Sequence, residues 1–189
     1  MYRHKDKIEL IEEFEIIKKS MSSPRYFAPI YQRYYHEIFI FIQKKTNNRE
    51  LTADIVSIVF TKAIQNLHQY KYKGVPFVAW LYRIASNEAN TFFRKSKVQR
   101  TISLDSTIVI SITDDIETVD EASHEKKMSD FISALDQLSE DELEFIELKY
   151  FEKLSFKEIS YIKNVSVTNA KVKTHRIIQK LKKLISKKK

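Results

Sequence analysis

The sequence predicts an all-α protein: two small helical domains joined by an acidic flexible linker, the C-terminal one a helix-turn-helix. Three observations carry that expectation. First, 189 residues include one glycine and three prolines, too little material for the tight turns of a β-sandwich or barrel. Second, apolar residues recur at helical spacing through most of the chain. Third, the charges are segregated. The net charge is +8, yet seven acids and no Lys or Arg lie between Ser103 and Glu125, and ten Lys or Arg and no acid lie between Lys163 and Lys189. Arg94 to Arg100 add four more cations. The expected boundaries are therefore a helical domain over 1–100, a linker over 101–127 and a helix-turn-helix domain over 128–189.

Composition also excludes classes. The absence of cysteine removes any disulfide framework or thiolate metal site and fits a reducing cytosol. No apolar run approaches the ~20 residues of a membrane span, and the first residues show no signal-peptide pattern, so a cytoplasmic protein without membrane insertion is expected. The five histidines and the carboxylates have no metal-ligand spacing, and no glycine loop could cradle a phosphate. No enzyme and no cofactor is expected. Segregated positive charge favours a nucleic-acid partner over an ordinary solvated face.

Taken in order, Ile8, Ile11, Phe14 and Ile17 mark one side of a first amphipathic helix, broken by SMSSP at Ser20 to Pro24. A second helix is expected from about Tyr26 to Lys45, with Phe27, Ile30, Tyr34, Ile38, Phe41 and Ile42 inward. Thr52 is the expected cap of a third helix running to about Leu67. The loop from His68 to Pro76 holds the single glycine, Gly74. A fourth helix begins at Phe77 and ends near Lys97, with Phe77, Trp80, Leu81 and Ile84 as core anchors. The stretch 101–127 reads as the linker; its TIVISIT run leaves a short strand open.

The C-terminal part is better punctuated. Ser139-x-x-Glu142 and Ser155-x-x-Glu158 are capping boxes, and Ser166 caps a further helix. Asn164 suits a left-handed residue between two helices, and small Ser160 lets them cross closely. That is helix-turn-helix chemistry, although a plain helical hairpin could carry the same caps. On the last helix, Val167, Ala170, Thr174, Ile177, Leu181 and Leu184 form the expected core side. Thr168, Asn169, Val172, His175, Arg176 and Gln179 lie opposite, flanked by Lys171, Lys173 and Lys180. Amide, imidazole and guanidinium groups can bond base edges, lysines can neutralise phosphates, and an outward Val172 suits a thymine methyl.

Two segments together resemble a known family. FVAWLYRIASN from Phe77, followed by a basic exit, and LSFKEISYIKNVSVTNAKVKTHRIIQKL from Leu154, after an acidic linker, are similar to bacterial RNA polymerase sigma factors. The two-domain layout resembles the extracytoplasmic-function type, and the likeness extends from about Ile8 to Leu184. It implies that the first domain binds the polymerase clamp and opens the minus-ten element, and that the second reads the minus-thirty-five element and meets the flap. It also implies an anti-sigma factor as a partner and a linker passing near the active-site channel of the polymerase.

The resemblance assigns core polymerase binding to Asp54, Ile55, Ser57 and Ile58. The family usually carries Asp-Leu-Val-Gln-Glu there, and its Gln-Glu is Ser57-Ile58 here. Asn87 matches a family asparagine that helps hold an extruded base, while a frequent aspartate is Thr91. The minus-ten set is then Tyr70, Lys71, Tyr72, Lys73, Gly74, Asn87, Asn90, Arg94, Lys95 and Lys97: rings to stack on bases, amides to bond them and cations for the unpaired non-template strand. The minus-thirty-five set for duplex DNA is Ser166, Thr168, Asn169, Lys171, Val172, Lys173, His175, Arg176 and Gln179. The competing reading is a helix-turn-helix regulator that binds DNA without polymerase, which leaves the Trp80 helix without a task.

Overall fold

The computed structural model describes residues 7–96, 112 and 124–186, with side chains over 9–95, 112 and 129–186. The fold is all-α; among the described residues there is no strand. The chain divides into two compact units, one of residues 1–103 with 161–163 and one of residues 104–160 with 164–189.

In the first unit, α1 (Lys7–Ser22) corrects the expected inward face. Ile17 is buried as expected, but Ile11 is 56% exposed, and Glu13 and Ser20 are buried instead. The carboxylate determines that rotation. Glu13 accepts a hydrogen bond from the Tyr34 hydroxyl and, at 3.1 Å, one from the backbone N–H of Phe77. A 3-10 turn (Pro24–Phe27) precedes α2 (Ala28–Thr46), so the helix expected from about Tyr26 starts two residues later, with Pro29 in its first turn. Ile30, Tyr34, Ile38, Phe41 and Ile42 are buried at helical spacing, as expected. Asn47, at φ 47°, ends α2 in the left-handed conformation.

Helix α3 (Arg49–Gln65) starts earlier than Thr52. Asn48, in extended conformation, accepts from the Leu51 N–H and is the real cap. Thr52 lies a turn inside, buried, with its hydroxyl on the Asn48 carbonyl. A short 3-10 turn (Leu67–Gln69) leads into the loop of Gly74, whose φ of 70° is the left-handed region where glycine costs nothing. Helix α4 (Phe77–Ser96) packs on α2 and α3 through Phe77, Val78, Leu81, Tyr82, Ala85, Ala89 and Phe93.

The second unit opens with α5 (His124–Leu135), a helix that begins inside the stretch expected to be linker. The rest of that linker, Ile112 apart, lies outside the described residues, and so does the possible TIVISIT strand. Ser139 caps α6 (Glu140–Ile146) with both bonds of a capping box, and a π-helical turn (Glu147–Phe151) follows. Ser155 caps α7 (Phe156–Lys163) in the same way. Asn164 at φ 54° provides the left-handed turn, and the Ser166 hydroxyl receives the Asn169 N–H at 3.1 Å to start α8 (Val167–Ser186). The core packs Ala170, Ile177, Ile178 and Leu181 of α8 beside Phe131, Leu135, Phe145 and Ile146. Thr174 joins them because its hydroxyl bonds the Ala170 carbonyl. Val167, expected inside, is exposed at the helix's first turn, and Ile178 takes a core place.

Candidate nucleic-acid interface

The solvent side of α4 is a stripe at helical spacing: Trp80, Arg83, Ile84, Asn87, Thr91 and Arg94. Trp80 and Ile84 were expected as core anchors. They are only half-buried, because the core side of the helix is already filled by Phe77, Val78, Leu81, Tyr82 and Ala85. Asn87 is exposed and Asn90 half-buried, and Arg94 and Lys95 are exposed beyond them. Lys97 lies outside the described residues. Asn66, Gln69, Lys71, Lys73, Trp80, Arg83 and Asn87 line one hollow on this unit. It brings together a flat indole, amides and cations, the groups that hold an unstacked base and its phosphate.

Tyr70 requires a correction. It was expected to stack on a base, yet it is 5% exposed, with ring centroids 5.0 Å from Phe77 and 5.4 Å from Trp80. Burial pushes its hydroxyl pKa above the ordinary tyrosine value. Tyr70 thus supports the Trp80 ring from below. Lys71, Tyr72 and Lys73 are exposed, and Tyr72 leans on Phe14 of α1 at 5.8 Å. Sequence reading missed Asn66, Gln69 and Arg83. Arg83 had a signal, since it lies one turn before Asn87 on the same stripe; Asn66 caps the end of α3, Gln69 lies in the 3-10 turn that follows, and neither had one.

On α3, Asp54, Ser57 and Ile58 share one exposed face, Ile58 being 45% exposed. Ile55 is corrected: it is buried, and it serves the core rather than a partner. On α8, Ser166, Thr168, Asn169, Lys171, Val172, His175, Arg176 and Gln179 are all exposed, Val172 at 42%. Lys173 departs from the expected phosphate role. Its ammonium pairs with Asp141 and lies 4.8 Å from the centre of the Phe145 ring, tying α8 to α6. Lys180 does the same with Glu142 at 2.7 Å, and that hydrogen bond holds the Glu142 carboxyl below its ordinary pKa. Arg176, Gln179, Lys180 and Lys183 line a second, basic hollow. Among the described residues, no cluster of three or more His, Asp or Glu could hold a metal ion, and no helix is long and apolar enough to cross a membrane.

A helix with an aromatic, amide and cationic stripe in one unit and a capped helix-turn-helix in the other define a class. The Sigma-70 region 2 family model matches residues 30–98, and the Sigma-70 region 4 model matches residues 129–181. The chain is 28% identical over 156 residues to the ECF RNA polymerase sigma factor SigM of Bacillus subtilis (strain 168), covering 82% of this chain and 92% of that protein. Its fold is shared with CnrH, solved in complex with the cytosolic domain of CnrY, at TM-score 0.62 and 19% identity over 94% of this chain and 99% of that one. The sigma factor RpoE of Bartonella quintana, solved with the anti-sigma factor NepR, is similar at TM-score 0.57 and 19% identity, over 85% of this chain and 96% of that one. The chain belongs to the sigma factors of bacterial RNA polymerase, and within them to the extracytoplasmic-function type. Such proteins are non-enzymatic transcription initiation factors that direct polymerase to promoters.

Proposed function

We propose that this sigma factor divides promoter recognition between its two units. The first, within 1–100, binds the polymerase clamp through the exposed α3 face of Asp54, Ser57 and Ile58, and captures unpaired minus-ten bases in the α4 hollow. Asn87 bonds a base edge, Trp80 offers a stacking surface, and Lys71, Lys73, Arg94 and Lys95 hold the backbone. Opening then draws on binding energy: an extruded base loses its stacking partners in the duplex and gains a ring, an amide and cations. The second unit, within 128–189, lays α8 in the major groove of the minus-thirty-five element. Asn169, His175, Arg176 and Gln179 face base edges, and Val172 meets a thymine methyl.

The observation that carries this reading is the exposure of Asn87 at the centre of the α4 stripe. A packing amide would be buried; this one faces the hollow with Trp80 and Arg83. The protein works in the cytoplasm, where polymerase is, and has an anti-sigma factor as a partner, a reading supported by the similar sigma factor RpoE, solved with the anti-sigma factor NepR. The intervening segment serves as the acidic linker.

Transcription in vitro with core polymerase on genomic fragments tests the proposal. New start sites that depend on this chain are expected. A protein that shifts the same fragments tightly without polymerase and yields no new start sites is instead a polymerase-independent regulator.

A further inference from the structure

At the rim of the α4 hollow, Lys62 of α3 reaches across to Glu88 of α4. Its Nζ donates to both carboxylate oxygens at 2.7 Å. Glu88 follows Asn87 directly in the chain and lines the same hollow. The lysine side chain is 47% exposed and the glutamate 18%. A pair this open adds little to stability, because water screens it and two long side chains must be ordered to form it. Its consequence is electrostatic. A bare carboxylate beside Asn87 would repel the phosphates that the surrounding cations attract, and a directly bonded ammonium cancels that charge at short range.

We propose that Lys62 is a positioning residue of strand capture that acts through Glu88: it neutralises the carboxylate next to Asn87 and holds it against α3. The inference rests on the strand-capture reading of α4. The same pair also ties two functions together. Asp54 lies about two helical turns before Lys62 on α3, so the pair links the helix assigned to polymerase with the helix assigned to the unpaired strand.

The test compares full-length proteins in holoenzyme, reading permanganate reactivity of promoter thymines across a salt series. Lys62→Met exposes the Glu88 charge and is expected to reduce opening about five-fold at low salt, with the deficit shrinking as salt screens it. Glu88→Gln releases an ammonium into the hollow. It is expected to raise opening about two-fold and to steepen the salt dependence by roughly one phosphate contact. The double variant Lys62→Met/Glu88→Gln should recover most of the lost opening, and Lys62→Arg, which keeps the charge, should retain most of it. Unfolding midpoints of all four should lie close together, since the pair is exposed.

A Lys62→Met defect that persists unchanged in the double variant overturns the proposal, because Lys62 would then act on the strand itself. Wild-type-like opening by Lys62→Met overturns it as well. A wild-type holoenzyme that opens no promoter would instead refute the strand-capture reading on which the proposal stands.

Discussion

The two helices to which we assign DNA are built on opposite plans. Helix α4 lines a hollow, and its working groups depend on side chains that are themselves buried: Tyr70 beneath Trp80, and the Glu13 carboxylate on the first N–H of the helix. Helix α8 presents an exposed polar face running from Ser166 through Asn169, Val172 and His175 to Gln179, and depends on local caps at Ser155, Asn164 and Ser166. An unpaired base needs a concave, partly dry surface, whereas an intact major groove needs a protruding rod. The difference predicts that distant substitutions damage strand capture, while only nearby ones damage duplex reading.

Glu13→Ala is the most severe way to probe that contrast. It removes the buried carboxylate that accepts from the Tyr34 hydroxyl and the Phe77 N–H, so about 2–4 kcal/mol of stability should be lost. Trp80 is the chain's single tryptophan and sits in the first unit, so its fluorescence reports that unit's unfolding in the full chain. The tryptophan transition should shift strongly, with α8's binding to duplex DNA retained. An unmoved transition would remove Glu13 from the account.

Asn87→Ala comes next. It should cost about 1–3 kcal/mol of discrimination at one minus-ten position and leave closed complexes intact, measured by gel shift and by footprinting of the opened region. Arg94→Ala should weaken binding evenly across sequences and lower the salt slope by about one contact.

In the second unit, Asn164→Ala places a Cβ-bearing residue with no local polar compensation at φ 54°, at a cost of about 1 kcal/mol, while Asn164→Gly should be tolerated. Circular dichroism melts of the full chain, with Trp80 fluorescence separating the units, check the pair. A melt unchanged by Asn164→Ala would show that the turn is less constrained than its geometry implies.

The caps explain how unevenly the sequence could be read. Ser139, Ser155, Ser166 and Asn164 act on atoms within four residues of themselves, so spacing alone identified them. Thr52 was misread because Asn48, four residues earlier, offered the same chemistry with an extended backbone. Glu13 and Tyr70 were missed or misassigned for a different reason. Glu13 bonds a partner in α4, sixty-four residues away along the chain, and no periodicity announces such a contact. The polar face of α8 was legible from its angular pattern, yet Lys173 was not, since its Asp141 partner belongs to another helix. Local rules located the polar face of α8; the hollow needed the fold.

The smallest expected effect concerns acid. Lys180 holds the Glu142 carboxyl below its ordinary pKa, so their pairing stabilises the unit above the normal carboxylate range, near pH 4.3, and fades as pH falls through the lowered value. Because the pair is part-exposed and screened by water, Lys180→Met should remove no more than about 1 kcal/mol at pH 6, and less at pH 4. Urea unfolding of both proteins at the two pH values measures it. A larger loss at pH 4 than at pH 6 has the wrong sign for this pairing.

Permanganate footprinting of Asn87→Ala holoenzyme on promoter variants carrying each base at the affected minus-ten position tests the division of labour most directly. Fragments that yield chain-dependent start sites supply the promoter. The account predicts normal closed complexes, reduced opening for the preferred base, and similar opening for all four bases. Opening that falls by the same factor for every base, with the wild-type preference intact, would contradict base capture by Asn87.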